Sequence, residues 1–497
     1  MGRVAVREGM PRTTLRARSL AAVAWSGLDL VLRQGIQFGV SVALARLLTP
    51  NDFGTIALLY LFVGIAGLFV DTGFSMALIQ QPEITKEDES SVFWFNVCAG
   101  AVVAVALGVA SRPIAAFYRI PVLVPLTYVM AVNLFVTTLS SVHFTLMTRA
   151  LDFKTQAKIG LAASLVSGAV AVIMAWRGAG VWALATQVLL STVVTTALAW
   201  GLHNWRPMLR FSLASLRRLF RFSAYLFIYF SLDTIYSKLY TIVIGKLYSA
   251  RELGLYSRAD GTAKMPMALM TGVVQRASFP IFASVSGDKE MLRRGLRKAI
   301  IGLSWLNVPA TVGLLVTARP LVLTLFGDQW VGSIGPLRVL CIANILVPVQ
   351  TLNSKVLMAQ GHSGLFLKAE VIVRVIGIVA VVAAIPFGIM AIAWSMVLCS
   401  LVDFVVKAHY SKVLLGYSAL QQARDLAPVG IVSVGMAVVV LLVPVIVATS
   451  NSRLLVSQVL TGIGVYVACS YVFKLEAFSD VKMWGSELLG RLMGGGA

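Results

Sequence analysis

Charged residues are scarce in this sequence. They make up 13% of the 497 residues, whereas 58% are hydrophobic and the mean hydropathy is +0.85. Soluble domains are about a quarter charged. The composition therefore excludes an ordinary soluble domain and indicates an integral membrane protein.

Cysteine and histidine are also few, and their spacing excludes several chemistries. The four cysteines lie in separate apolar stretches without paired spacing, which argues against a disulfide framework or a metal site. The four histidines lie singly, with no H-x-x-x-H pair. No G-x-x-x-x-G-K-[ST] phosphate loop occurs, so nothing predicts ATP hydrolysis. We expect no metal, no cofactor and no enzymatic reaction.

Acidic residues are half as numerous as basic ones, 21 against 42, which gives a formal net charge of +21. In a soluble protein this excess would suggest a nucleic acid partner. Here the basic residues gather between apolar stretches, as the positive-inside rule predicts for cytoplasmic loops. The partner is therefore the bilayer rather than nucleic acid. The basic residues 1–19 are expected to be a retained cytoplasmic tail, because the following apolar stretch is too long for a signal peptide.

Fourteen apolar stretches reach the length of about twenty residues that a membrane span needs. We predict spans at 20–48, 53–80, 90–111, 122–147, 157–176, 180–202, 220–249, 254–286, 296–318, 334–359, 366–386, 389–411, 426–449 and 452–473. The even number places both termini on one side, and the basic connections 206–221 and 289–298 predict that this side is cytoplasmic. The acidic connection 80–89 deviates, but acids contribute little to the rule.

An internal repeat divides the chain. ALARLLTPNDFGTI at 43–56 aligns without a gap to VIGKLYSARELGLY at 243–256, and an offset of 200 residues fits two halves of parallel orientation. The predicted division is a tail at 1–19, an N-terminal lobe at 20–205, a basic linker at 206–219, a second lobe at 220–411, a linker at 412–425, two further spans at 426–474 and a cytoplasmic tail at 475–497.

A series of motifs resembles a known family. LARLLTPNDFGTIAL, DTGFSMALIQ, ITKEDESSVFWFN, MTRALDFKTQAKI and RASFPIFASV occur in this order between residues 44 and 285, and the likeness runs from about residue 15 to 420. Together they are similar to polysaccharide exporters of the MOP superfamily, most of all to Wzx-type flippases for colanic acid, teichuronic acid and xanthan.

The resemblance implies an all-α fold of about fourteen spans in two pseudo-symmetric lobes around a central cavity, working by alternating access in a bacterial inner membrane. The implied substrate is an undecaprenyl-diphosphate-linked oligosaccharide repeat unit, flipped from the cytoplasmic to the periplasmic leaflet. The polymerase and co-polymerase of the same pathway would be partners.

Three alternative functions share some of these features. A peptidoglycan lipid-precursor flippase would also carry an anionic lipid diphosphate, and only motif details argue against it. A MATE-like multidrug antiporter would share the fold, but a cavity richer in cations than in acids would repel organic cations. A membrane-embedded polymerase or ligase would place its catalytic residues in a long periplasmic loop, and no connection is long enough.

Ionisable residues at membrane depth are functional candidates, because each costs about 2.5–3.5 kcal/mol on insertion scales. Cations suit a diphosphate, and tyrosines offer a ring and a hydroxyl to a sugar. The predicted substrate-binding residues are Asp29, Arg33, Tyr229, Asp233, Tyr236, Lys238, Tyr240, Arg258, Lys264, Arg276 and Lys355. Asp71 is predicted to couple transport to protons, and the competing interpretation is a structural partner for a nearby cation. Arg338, Glu370 and Arg374 are expected instead near span ends, where their charges snorkel to the interface.

Overall fold

The computed structural model describes residues 33–70, 74–81, 83–268, 288–446 and 450–479, and for 80, 219–233, 235 and 363 the backbone alone. Throughout these ranges the regular structure is helical. The helices are α1 (33–47), α2 (Pro50–Val70), α3 (Phe74–Gln80), α4 (Lys86–Val109), α5 (Ser111–Tyr118), α6 (Leu123–Arg149), α7 (Phe153–Trp176), α8 (Val181–Leu202), α9 (Leu213–Leu247), α10 (Ala250–Ala263), α11 (Lys289–Val316), α12 (Ala318–Leu325), α13 (Ile334–Asn344), α14 (Val347–Ala359), α15 (Ser363–Ala384), α16 (Ile389–Leu415), α17 (Ala419–Ile446) and α18 (Asn451–Val472).

Eleven stretches of helix within the described ranges are long and apolar enough to cross a membrane. Each coincides with one of the predicted spans. Of the other three predicted spans, the seventh coincides with helical backbone in α9. The described parts of the first and eighth are helical in α1 and α10, and the rest of these two spans lies outside the described residues. The all-helical, multi-pass membrane fold is therefore confirmed.

The predicted span at 334–359 contains a break. Helix α13 ends at Asn344 and α14 begins at Val347, with Pro348 in its first turn. The Asn307 side chain of α11 donates to the carbonyls of Asn344 and Ile345, at 3.2 and 3.4 Å. A break inside a span is tolerated when neighbouring polar groups satisfy the freed carbonyls, and Asn307 does so here.

The acidic connection at 80–89 forms the start of α4. Thr85 and Asp88 make a capping box: Asp88 N–H donates to Thr85 Oγ1 at 3.1 Å, and Thr85 N–H donates to Asp88 Oδ2 at 2.9 Å. Arg218 pairs with the buried Asp88 carboxylate at 2.7 Å, and the Trp205 indole donates to Glu89 at 2.6 Å. Negative charge stabilises a helix N-terminus. These acids therefore serve the fold of this connection.

The chain forms two compact units, residues 1–251 and 252–497. Both contain a long helix, a short helix and a further helical span in this order: α4, α5 and α6 in the first unit, and α11, α12 and the interrupted span of α13 and α14 in the second. The short helices both carry an Arg-Pro pair in their first turn, Arg112-Pro113 and Arg319-Pro320. This shared order extends the repeat beyond the two aligned segments.

Hydrogen bonds and an ion pair connect helices of the second unit. The Trp305 indole of α11 donates to Ser470 Oγ of α18 at 3.2 Å. Arg297 of the same helix pairs with Asp425 of α17 at 3.1 Å. Tyr417, between α16 and α17, donates to Asp425 at 2.7 Å, and burial together with this hydrogen bond raises the Tyr417 pKa.

A tight turn joins α15 to α16. Gly388 has φ = 88°, a left-handed conformation that glycine adopts without strain, and it precedes the first residue of α16. The turn is short, so α15 and α16 run antiparallel and pack along their length. This hairpin carries the charged cluster described below.

Candidate functional site

Two candidate cations of the first unit lie against glycines of neighbouring helices. Arg33 of α1 lies beside α7: a Cβ built on Gly160 would come within 3.1 Å of Arg33 Nη1. Lys238 of α9 lies beside α2, where a Cβ on Gly64 would come within 3.7 Å of Lys238 Cε. Both cations are half-buried. The absence of a side chain at Gly160 makes room for Arg33, whereas a Cβ at Gly64 would make only an ordinary contact with Lys238.

Helix α9 also carries the predicted tyrosines. Tyr236 and Tyr240 are half-buried and lie within one turn of Lys238. For Tyr229 and Asp233 the backbone is helical, and their side chains lie outside the described residues. The predicted sites Asp29, Asp71 and Arg276 also lie outside the described residues.

Arg258, a candidate of the second unit, stacks on aromatic rings. Its guanidinium carbon lies 3.9 Å from the ring centre of Phe326 and 5.7 Å from that of Trp330. Trp330 is fully buried in the 3₁₀ segment Asp328–Ser333 that follows α12. Cation–π contacts of this kind gain strength away from water. In this structure Arg258 therefore contributes to holding that segment against α10.

Lys264 and Lys355 differ in their partners. Lys264 pairs with Asp260 one turn earlier, Nζ to Oδ2 at 2.7 Å, with more than half of its side chain exposed. Lys355 is half-buried on α14 between the buried residues Ser354 and Val356, and within the described ranges it makes no ion pair. A half-buried lysine without an acid is a better candidate for binding an anionic ligand than a paired one.

A buried cluster of charges joins α15 to α16. Glu370 and Arg374 pair on α15, Oε2 to Nη2 at 2.9 Å, and Asp403 and Lys407 pair on α16, Oδ1 to Nζ at 2.8 Å. Lys407 Nζ also lies 3.0 Å from Glu370 Oε1, so one ammonium bridges carboxylates of two helices. The four side chains are between 9% and 16% exposed. We call these four residues the charged quartet.

The charged quartet corrects one expectation. Snorkelling is the wrong interpretation for Glu370 and Arg374, because both side chains are turned into the helix pair and are largely buried. Arg338 is exposed. The signal that would have revealed the cluster is the i,i+4 spacing of an acid and a base, which occurs once in each helix. Lys407, which is not among the residues predicted from the sequence, is the fourth member of the cluster.

Comparison with known proteins identifies the family. The sequence matches the family described as polysaccharide biosynthesis protein over residues 43–335, more than half of the chain. The chain belongs to this family. The resemblance seen in the motif series is thereby confirmed.

Other members of the polysaccharide biosynthesis protein family are similar along most of their length. The lipopolysaccharide biosynthesis protein WzxC of Escherichia coli K12 is 28% identical over 74% of this chain and 75% of its own length. The teichuronic acid biosynthesis protein TuaB of Bacillus subtilis 168 is 26% identical over 80% of this chain and 82% of its own length.

The fold is also found among solved structures. The lipid II flippase MurJ in an inward closed conformation superimposes with a TM-score of 0.71, over 91% of this chain and 98% of its own, at 13% identity. At this identity the likeness concerns the fold alone. This member of the polysaccharide biosynthesis family therefore has the helical fold of a membrane transporter.

Proposed function

We propose that this protein is a flippase that moves undecaprenyl-diphosphate-linked oligosaccharide repeat units from the cytoplasmic to the periplasmic leaflet of a bacterial inner membrane. Both termini face the cytoplasm, and the protein, with lobes at 20–205 and 220–411, works by alternating access. The observation that carries the proposal is the family match over residues 43–335, together with relatives named for the biosynthesis of lipopolysaccharide and teichuronic acid.

The charges of the described residues fit this cargo. Arg33, Lys238 and Lys355 are half-buried cations on helices of a membrane protein. Lys355, which makes no ion pair within the described ranges, is costly in a membrane helix unless it meets an anion. A diphosphate supplies that anion, and arginine and lysine bind phosphate oxygens through charge-assisted hydrogen bonds. These residues, with the tyrosines of α9, are the proposed contacts to the diphosphate and sugars.

Transport of this cargo needs a source of energy, for which we propose a proton gradient, and partner proteins that use the product. Asp71 is the proposed proton-coupling residue. The product emerges in the outer leaflet as a lipid-linked repeat unit, and a polymerase and co-polymerase must consume it there. Removal of the product by this reaction contributes to the direction of transport.

Flipping can be measured in proteoliposomes that contain the purified protein. A fluorescent undecaprenyl-diphosphate oligosaccharide is incorporated, and its leaflet is read by quenching with an impermeant reagent over time. Transfer faster than in protein-free liposomes is expected. Equal transfer rates with and without protein would overturn the proposal.

Two further substrates decide between the alternatives in the same vesicles. A lipid-linked peptidoglycan precursor that moved faster than the oligosaccharide would favour the precursor flippase instead. Uptake of an organic cation in exchange for protons would favour a multidrug antiporter.

A further inference from the structure

The charged quartet contains a cation site that the chain fills itself. Lys407 Nζ lies 3.0 Å from Glu370 Oε1, 2.8 Å from Asp403 Oδ1 and 3.1 Å from Asp403 Oδ2. An ammonium group has three hydrogens and no acceptor. Lys407 therefore donates a hydrogen bond to Asp403 Oδ2 and lies at ion-pair distance from carboxylates of two different helices.

The site is enclosed rather than placed at an interface with water. The side chain of Lys407 is 9% exposed, that of Glu370 12% and that of Asp403 16%. With a rise of 1.5 Å per residue, Asp403 lies about 18 Å along α16 from its end at Leu415. Basic groups elsewhere on these two helices, such as Lys368 and Lys412, are exposed. The Lys407 side chain thus lies between α15 and α16 and does not extend to the surface.

Two carboxylates at membrane depth require a counter-charge, because a buried anion without one is strongly unfavourable. An exchangeable ion from solution could supply that charge, and so could a side chain. Here the ammonium occupies the point between the two carboxylates. The aliphatic part of the Lys407 side chain extends to this point from α16, where Lys407 lies one turn after Asp403.

We propose that Lys407 is a tethered counter-cation: it permanently fills a two-carboxylate site that would otherwise bind a monovalent cation or a primary ammonium ion. Sodium then has no access to Glu370 and Asp403, and sodium exchange at this position takes no part in the working of the protein. The inference does not depend on the identity of the cargo.

The test uses the purified full-length protein in detergent and thermal unfolding followed by tryptophan fluorescence. The native protein should unfold at the same temperature in sodium chloride and in choline chloride of equal ionic strength. Lys407→Ala should unfold more than about 2 °C lower. Propylammonium carries the three carbons and the nitrogen that the alanine variant has lost, so it should restore the midpoint. Choline has no N–H donor and should not.

A matched control is Lys412→Ala, which removes an exposed lysine of the same helix. Its unfolding should be near native and insensitive to propylammonium. The proposal is overturned if sodium stabilises the native protein more than choline does, or if propylammonium protects Lys407→Ala no better than choline.

A second variant keeps the test decisive if Lys407→Ala cannot be purified. The double change Lys407→Met with Asp403→Asn removes the cation and one of the carboxylates together, and leaves Glu370 with Arg374. It should be recovered at near-native levels and show no response to propylammonium. If the double variant is lost as completely as Lys407→Ala, the side chain matters for a reason other than its charge, and the tethered-cation assignment fails.

Discussion

Replacing Lys355 with methionine should separate two effects of this lysine. Its charge lowers the stability of the protein, and the same charge contributes to transport. The lysine is half-buried on α14 and has no ion pair within the described part of the chain, while both residues that flank it are buried. Methionine keeps an unbranched side chain of similar length and removes the charge. An unpaired lysine is unfavourable in a membrane, so Lys355→Met should unfold at the native temperature or above it.

The effect on transport should have the opposite sign. A hydrogen bond to a charged group contributes about 1.5–3 kcal/mol, and about 1.4 kcal/mol corresponds to a factor of ten. If Lys355 binds the diphosphate, its removal should raise the half-saturating concentration of lipid-linked oligosaccharide about 10- to 150-fold. Lys355→Arg should retain part of the function, since arginine keeps the charge with a different donor geometry.

The assay is the proteoliposome flipping measurement at several substrate concentrations, with Lys368→Met as the matched control. Lys368 is exposed on α15, near the start of its helix at Ser363, as Lys355 is near the end of α14 at Ala359. Its replacement should change the half-saturating concentration less than about twofold, because an exposed charge contributes little. Equal effects of the two substitutions, or a native rate in Lys355→Met, would refute the reasoning.

Three further predictions concern orientation, cargo charge and coupling. In intact spheroplasts, Asn51→Cys should react with an impermeant thiol reagent and Leu213→Cys should not; labelling of the latter from outside would reverse the topology. Lys238→Ala should insert at native levels and lose polymer export, which an export assay alongside an immunoblot measures; native export would remove Lys238 from the cargo path. An imposed pH gradient should accelerate flipping by the native protein and leave Asp71→Asn unaffected; equal acceleration of both would exclude Asp71 from coupling.

The positions of the spans could be predicted because length and hydrophobicity are properties of the sequence itself. The break between α13 and α14 could not. Its freed carbonyls are satisfied by Asn307, which lies 37 residues before Asn344 in sequence and is brought there by packing. A local pattern contains no information about such a partner.

The sequence shows the acidic residues at the start of α4, but it explains their position only in part. A threonine followed three residues later by an acid before an apolar run is a capping-box pattern, and Thr85 with Asp88 fits it. The pairing of Asp88 with Arg218, 130 residues later, needed the fold. The deviation from the charge rule thus has a structural cause.

The charged quartet shows where sequence reasoning about membrane charges stops. The spacing of acid and base is readable in each helix, yet the choice between an exposed and a buried cluster depends on which helices pack together. The contact of α15 with α16 decides it. The substrate-binding residues and Asp71 stay predictions, since they concern a cargo and a cycle rather than a static arrangement.

The pairing within the charged quartet also bears on how the protein is made. Each of the two helices carries its own acid and its own base one turn apart, Glu370 with Arg374 and Asp403 with Lys407. Each can therefore leave the translocation channel for the lipid with its buried acid and base already paired, without waiting for the other to be synthesised. Helices inserted separately associate afterwards, and the bond from Lys407 to Glu370 belongs to that second stage. Moving one charge to the other helix would keep the total the same and still make both segments harder to insert.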